Sequence, residues 1–417
     1  SIEDLLKVTI QPVFGASARL QLATEAPASV TIITADDIKR YGYRTLADIL
    51  RGVRGLYVTD DRNYSYLGVR GFSRPGDYNT RVLLLINSHR VNDNVYDQAY
   101  IGAELALDVA LFDRVEVIRG PASSLYGTSA FFAVVNVITA SGATMAGGRL
   151  GVDVGTLGTA LVRGTAGHEF ANGVRVVASA TYEGSRGVRQ LFFPAYDTPE
   201  TNSGIAEDLD GERMRGFYGQ VTWRALTVTM TNGARRRDIP TASYATLFNS
   251  QQPRERTTDN HTMLHAAFDR MAGATRIVAD LSFDRLTYTG VYPYAGEFPG
   301  APALINYDGA VGTRLGAGVK VTRALPGRQT LTAGAELLSN VRQQQESYYN
   351  DPLQERFVVD EDSRYSALYV QDEIRIQPWL LLNAGLRHDR HERFARTSPR
   401  AAVIVLPTAN VSFKYLY

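Results

Sequence analysis

VEVIRGPASSLYGTSAFFAVVNVIT, residues 115–139, decides the fold. Two strongly β-forming runs, 115–118 and 133–139, flank a turn-rich Arg119-Gly120-Pro121 and a Leu125-Tyr126-Gly127. The stretch carries no visible enzyme chemistry. It predicts two strands that close a small mixed sheet.

Upstream, the same sheet is legible in pieces. Ser29–Thr34 (SVTIIT) reads as a short strand. Thr34 then caps a helix, with Asp37 three residues on and Gly42 ending it. Thr45 and Asp48 repeat the pattern, with Leu46, Ile49 and Leu50 on one face and Gly52 as the stop. VLLLIN (82–87) is a continuous apolar run, the pattern of a strand buried on both faces. Residues 105–107 and 109–111 read as lying on or beside a short helix. Together these predict a compact α+β domain over residues 26–142.

From about residue 149 to 417 helical periodicity gives way to alternation. Phe217, Gly219, Val221 and Trp223 oppose Tyr218, Gln220, Thr222 and Arg224. Leu368, Val370, Ile374 and Ile376 oppose Tyr369, Gln371, Glu373, Arg375 and Gln377, with Asp372 the one exception on the apolar side. Leu380, Leu382, Ala384 and Leu386 then oppose Asn383, Arg387 and Asp389. Alternation over ~9–11 residues is what a tilted membrane strand needs, and soluble strands are usually shorter. Short turns at 377–379 and 406–410 contrast with long polar connections at 190–212, 237–260 and 288–308. That is the asymmetry of turns and loops in an outer-membrane barrel. Counting alternating segments gives about 13 antiparallel strands, whereas barrels that house a plug have about 22. The expectation is a barrel truncated at its C-terminus.

Composition agrees with this class without demanding it. The formal charge of +1 gives no global case for nucleic acid, and cysteine is absent. No apolar run approaches a membrane helix, and the mean hydropathy of −0.17 hides what alternation reveals. The 23 tyrosines exceed the 16 phenylalanines and 2 tryptophans, which suits surfaces apolar at one end and wet at the other. Ser1-Ile2-Glu3-Asp4 is acidic and short of apolar residues, so it reads as mature or trimmed sequence rather than an export leader.

Read residue by residue, the opening segment resembles the plug signature of the TonB-dependent outer-membrane receptors: Val-Glu-Val-Ile-Arg-Gly-Pro, then Tyr-Gly, then Asn-Val-Ile-Thr. The likeness runs from Ala26 to Thr139, through Gly68-Val69-Arg70-Gly71-Phe72 and the central strand 82–91. It departs from the family at Asn87 and Ser88-His89, where members usually have Asp and Gly, and at Phe132-Ala133, where many have Gly-Gly. Tyr369-Val370-Gln371-Asp372-Glu373 and Leu386-Arg387-His388-Asp389 are similar to a recurring strand–turn–strand of the family's barrel. The resemblance implies an α+β plug inside an antiparallel transmembrane β-barrel in the bacterial outer membrane. It implies active import of a scarce bulky ligand, a ferric siderophore first and cobalamin or haem next. The ligand would be an iron chelate or corrinoid, with no intrinsic cofactor and no catalysis. Its implied partners are TonB with ExbB and ExbD in the periplasm, outer-membrane lipid and lipopolysaccharide, and the small-molecule ligand. The alternatives are a signal-transducing or colicin/phage-exploited receptor of the same fold, then an outer-membrane barrel enzyme. No phosphate loop or nucleophile elbow supports the enzyme.

The resemblance also places candidate residues. Residues 1–25 hold the candidate TonB box, Val8, Thr9 and Ile10 within Lys7–Pro12, whose β-branched side chains suit strand addition. Ligand contacts are expected at the plug apices: Arg74, Asp77, Tyr78, Asn94, Tyr96, Asp97 and Tyr100. Arg70, Glu116 and Arg119 are candidate plug–barrel contacts. Asp197, Asp208 and Asp210 lie in an oxygen-rich loop that suggests calcium, although the spacing misses the EF-hand pattern. His261 and His265 share a strand face and read as a structural pair. Arg235-Arg236-Arg237 either meets lipopolysaccharide phosphates or ends a strand.

Overall fold

The computed structural model describes residues 12–13, 21–22, 24–74, 76–120, 126–296, 298, 301–350, 353–408 and 411–417. Two short strands, β1 (Pro12–Val13) and β2 (Gln21–Leu22), pair before the first domain. That domain then runs β3 (Ser29–Thr34), α1 (Ala35–Tyr41), α2 (Leu46–Arg51), β4 (Leu56–Asp60), β5 (Ser65–Val69), β6 (Val82–Ile86), β7 (His89–Arg90), β8 (Phe112–Arg119) and β9 (Ala133–Thr139). Its five-stranded sheet has the order β3-β8-β9-β6-β7, with β6 and β9 parallel and the other pairs antiparallel.

Both helices start on reciprocal capping boxes. Thr34 accepts from the Asp37 amide at 3.2 Å and Asp37 accepts from the Thr34 amide at 3.0 Å; Thr45 and Asp48 repeat this. The two stops differ physically. Gly42 is left-handed (φ 67°), which favours glycine. Gly52 is right-handed, and a Cβ there would stand 2.4 Å from the Tyr43 hydroxyl, so the glycine lets the end of that ring pack against the helix stop.

All five residues of β6 are buried, as its unbroken apolar run predicts. Leu84, Val117 and Val135 face the helices, while Leu83, Ile118 and Val134 face a smaller cluster with Ala26 and Ala28. The larger cluster also contains Val177, Tyr218 and Met263 of the second domain, so one apolar core spans both. Short 3₁₀ turns occupy Ala103–Leu105 and Val109–Leu111.

The second domain is a 13-stranded antiparallel sheet. Its strands are β10 (Gly147–Val154), β11 (Ala160–Glu169), β12 (Val174–Ser185), β15 (Glu212–Trp223), β16 (Leu226–Asp238), β17 (Arg256–Ala272), β18 (Thr275–Tyr294), β19 (Leu304–Leu325), β20 (Gln329–Asn350), β21 (Leu353–Gln377), β22 (Leu380–His391), β23 (Phe394–Thr408) and β24 (Val411–Leu416). A separate hairpin, β13 (Gln190–Phe192) with β14 (Ile205–Glu207), sits in one connection. The alternation holds: Phe217, Val221 and Trp223 are exposed on the outer face while Tyr218 is buried in the lumen.

At one end every connection is short: 170–173, 224–225, 273–274, 326–328, 378–379 and 409–410. The long connections, 186–211, 239–255 and 295–303, all lie at the other end. Residues 256–260, 288–294 and 304–308, expected in loops, are strand. They stand above the apolar belt, where the hydropathic alternation fades while the backbone ladder continues.

Candidate functional site

The plug sits in the barrel with a defined polarity. Its N-terminal side meets the short-turn end, where Arg375 of β21 pairs with Glu25 at 2.7 Å, Arg400 of β23 donates to the Pro27 carbonyl at 2.5 Å and Lys414 of β24 donates to the Ala28 carbonyl at 2.9 Å. Its apices meet the long-loop end. Two Asx-type side chains hold the upper loop rigid. Asp93 accepts from the amides of Val95, Tyr96 and Gln98 at 2.8, 2.6 and 3.0 Å and from the Tyr100 hydroxyl at 3.2 Å. Asn79 bridges Leu67, Ser65 and Ala99 in the same manner.

Between these apices and the barrel lies a cavity of about 560 Å³. Nine of the 23 tyrosines line it: Tyr64, Tyr78, Tyr96 and Tyr100 from the plug, and Tyr244, Tyr288, Tyr292, Tyr294 and Tyr349 from the barrel and its loops. Their rings interlock edge to face, Tyr64 on Tyr78 at 5.8 Å, Tyr96 on Tyr288 at 6.2 Å and Tyr244 on Tyr292 at 5.8 Å. Hydroxyls link across the gap, Tyr78 to Tyr244 at 3.3 Å and Tyr64 to Asp259 at 2.7 Å. Burial pushes the Tyr78 and Tyr96 phenols far above their ordinary value, so both stay protonated hydrogen-bond donors in water at neutral pH. Arg356, Asp308 and Glu346 add charge to the wall. A pocket of phenol faces with a few polar groups can grip a bulky amphipathic molecule by stacking and hydrogen bonds.

The expected apex residues divide. Tyr78, Tyr96 and Tyr100 line the cavity. Arg74 is exposed beside it on the chain but does not line it. Asp77 is bonded to Arg81 at 2.8 Å and to Thr80 at 3.1 Å. Asn94 anchors plug to barrel, donating to the carbonyls of Thr313 at 3.3 Å and Arg342 at 3.0 Å. Asp97 accepts from Ser129 at 2.7 Å, and burial raises its carboxyl. Tyr244, Tyr288, Tyr292 and Tyr294 fall in segments that the sequence presents as loops, and Tyr349 in one that carries no motif; the clustering of tyrosine at 288–294 and 348–349 is the signal that could have found them.

The plug–barrel bridges differ from those expected. The bonds of Arg119 and the Arg114 bond of Glu116 fall inside the plug: Arg119 donates to the Arg54 carbonyl and, at 2.9 Å, to Thr31, and Glu116 accepts from Arg114 at 3.0 Å. Glu116 is fully buried at the centre of the plug sheet, in register with the equally buried Asn136. Arg70 is exposed. The bridges come instead from buried networks. His89 pairs with Asp284 at 2.9 Å, and Arg314 reaches the same carboxylate at 3.3 Å and the Arg90 carbonyl at 3.2 Å. His89 also stacks on His265 at 4.7 Å. Arg163 pairs with Asp108 at 3.1 Å. Arg235 pairs with Glu212 and Asp259 at 2.5 and 3.5 Å and donates to the Asn63 carbonyl.

The acidic loop does not gather for calcium. Asp210 is held by Arg62 at 3.1 Å and Arg237 at 2.7 Å, so two guanidiniums already neutralise it. Asp208 faces Arg189 at 3.6 Å, and among the described residues no three His, Asp or Glu side chains converge as a metal site. The candidate box, Val8, Thr9 and Ile10, lies outside the described residues.

Residues 23–134 match the model of the TonB-dependent receptor plug domain, and residues 231–417 match that of the TonB-dependent receptor-like β-barrel. The vitamin B12 transporter BtuB of Vibrio vulnificus is 25% identical over 203 residues, 48% of this chain and 31% of that protein. An iron-regulated outer membrane virulence protein of Vibrio cholerae is 30% identical over 141 residues, 33% of this chain and 21% of that protein. Among solved structures, the pyoverdine outer membrane receptor FpvA of Pseudomonas aeruginosa superposes with a TM-score of 0.73 at 15% identity, covering 98% of this chain and 65% of that one. A ferric enterobactin receptor mutant of the same organism gives 0.70 at 20% identity, covering 94% and 61%. These matches span at most about a third of the curated relatives and under two thirds of the solved chains. At such identities the solved structures speak for the fold alone.

Proposed function

This chain belongs to the TonB-dependent outer-membrane receptors, and from that premise we propose that it binds a scarce, bulky ligand in the tyrosine-lined cavity and imports it with energy from TonB. The observation that carries this reading is the cavity's position. It lies at the long-loop end, roofed by barrel loops and floored by a rigid plug apex, while the plug fills the lumen beneath it. A ferric siderophore is the first ligand class and cobalamin or haem the next; the relatives' names state vitamin B12, ferric enterobactin and pyoverdine of those proteins. On this reading the chain is a transporter and not an enzyme. We divide it into a TonB-contacting segment (1–25), a plug (26–142) and a barrel (149–417). Among the described residues β10 and β24 do not pair with each other, and both edges need partners in a bilayer.

The plug's N-terminal side faces the short-turn end, the side on which an inner-membrane partner would pull. Val8, Thr9 and Ile10 are the proposed grip, joined by strand addition. The test is growth of a deletion strain on single iron chelates, haem or cobalamin as the limiting source, complemented by wild type, Tyr96→Ala or Val8→Pro. Wild type should restore growth on one source. Tyr96→Ala should weaken binding of that ligand by about tenfold or more, as loss of a central aromatic anchor does. Val8→Pro should abolish uptake while leaving binding intact. Large open conductance of the intact wild-type protein in liposomes would sink the plugged-importer reading.

A further inference from the structure

The run Arg235-Arg236-Arg237 is split by the strand period. Arg235 and Arg237 point into the lumen, where they pair with Glu212, Asp259 and Asp210 of the barrel and donate to the Asn63 and Arg62 carbonyls of the plug. Arg236 is exposed on the outer wall. Cross-strand register places it opposite Arg213 of β15, and Asp238 opposite Arg256 of β17. Like charges directly opposite destabilise a sheet. With Arg186 and Arg254 they line an outward notch of about 850 Å³. Asp238 pairs with Arg254 at 3.1 Å. Among the described residues Arg186, Arg213, Arg236 and Arg256 have no carboxylate within ion-pair distance, and the Arg256 Nε is buried without a hydrogen-bond partner. Asp208, Glu212 and Asp238 share the lining, but they are taken by Arg189, by Arg235 and Arg237, and by Arg254, which leaves these four arginines without an ion-pair partner among the described residues.

The notch has a fixed height on the wall. The same strand faces carry exposed Tyr182, Phe217, Val221, Trp223, Leu264 and Phe268 below it. Trp223 borders the short turn at 224–225, and Arg213 stands ten residues up β15. At ~3.3 Å per residue and a tilt near ~40°, that is roughly 25 Å along the membrane normal, the height of a barrel's apolar band. The arginines therefore stand where the acyl region ends and outer-leaflet headgroups begin.

We propose that this arginine notch binds the phosphate groups of a phosphorylated glycolipid of the outer leaflet, with the acyl chains lying on the aromatic wall below. Guanidinium forks match phosphate oxygens, and a bound phosphate relieves the Arg213–Arg236 repulsion. The inference rests on the membrane location alone and not on the import reading.

The test uses the full-length protein in detergent, probed by native mass spectrometry with a bisphosphorylated lipid A, the same glycolipid with its phosphates removed, and inorganic phosphate. Wild type should retain the phosphorylated glycolipid and lose about tenfold or more in affinity when the phosphates are removed. The Arg213→Gln/Arg236→Gln/Arg256→Gln variant should show the same loss. Arg270→Gln, an exposed arginine near the short turn at 273–274, should bind like wild type. The matching triple lysine variant keeps the charge and should retain binding. Equal retention of both glycolipids, or lysine and glutamine variants equally impaired, would overturn the proposal. So would competition by inorganic phosphate alone at equal concentration, which would mark a free-anion site.

Discussion

Glu255 closes the long connection 239–255 from beneath. It is buried, its carboxylate accepts from the Thr246 hydroxyl at 2.5 Å and its carbonyl accepts from the Ile239 amide at 2.9 Å. Burial pushes its carboxyl from the ordinary 4.5 up to about 7, against hydrogen bonds from Thr246 and Ser243 that pull the other way. A raised acid favours the folded loop fully below about pH 4.5, and that favour is lost as pH rises to about 7, on the order of 3 kcal/mol. Hydrogen exchange of residues 239–255, corrected for intrinsic rates, should therefore show more opening at about pH 8 than at about pH 5. Glu255→Gln should flatten the difference; an unchanged pH dependence in the variant would refute it. This carboxyl did not stand out in the sequence, and His89 stood out only as a departure from the family pattern. Their roles come from non-local burial, and a one-dimensional pattern carries charge and periodicity without pairing. What was legible at this scale was local: both capping boxes, the glycine stops, and three plug tyrosines that line the cavity.

At the scale of elements, plug and barrel interlock through a backbone contact that the alternation could not reveal. Gly216 of β15 and Gly233 of β16 are register partners facing the lumen. A Cβ at Gly216 would lie 2.1 Å from the Ala106 carbonyl oxygen, and one at Gly233 would lie 2.4 Å from the Ala106 Cβ. Ala106 itself is left-handed (φ 50°), so the plug offers a sharp turn to a shallow seat made by two glycines. Gly216→Ala should displace that turn, since backbone cannot give way as a flexible side chain does. The expected result is a leakier outer membrane in cells, read as raised sensitivity to a bulky antibiotic, with the barrel still folded. Sensitivity equal to wild type would show that the plug adapts. The strands themselves were legible from alternation as far as the membrane extends. Above it, residues 288–294 and 304–308 keep pairing although Gly290, Pro293 and Asn306 interrupt the strand pattern, and the sequence there reads as loop.

Across the whole molecule the interior and the N-terminal side of the plug are held by different physics. Midway up the lumen the ties are buried: His89, Asp284 and Arg314 are nearly inaccessible, and breaking such a network costs roughly 3–5 kcal/mol because a charge is left unpaired out of water. At the short-turn end the Arg375–Glu25 pair is partly exposed, and pairs of that kind are worth about 1 kcal/mol or less. Arg400 and Lys414 add bonds to backbone carbonyls. A pull from the periplasmic side therefore meets the weak ties first. The first strand of the plug sheet, β3, lies directly behind them at the edge of the β3-β8-β9-β6-β7 order, paired to a single neighbour. The gradient predicts that Arg375→Ala combined with Lys414→Ala raises hydrogen exchange across residues 24–34 by about fivefold or more, the equivalent of ~1 kcal/mol, and leaves residues 92–100 unchanged. Asp284→Ala should do the reverse, loosening the cavity floor while the N-terminal side stays protected. If either substitution raised exchange uniformly through the plug, the domain would open as one unit. The cavity floor could not then stay intact while the N-terminal side is drawn out.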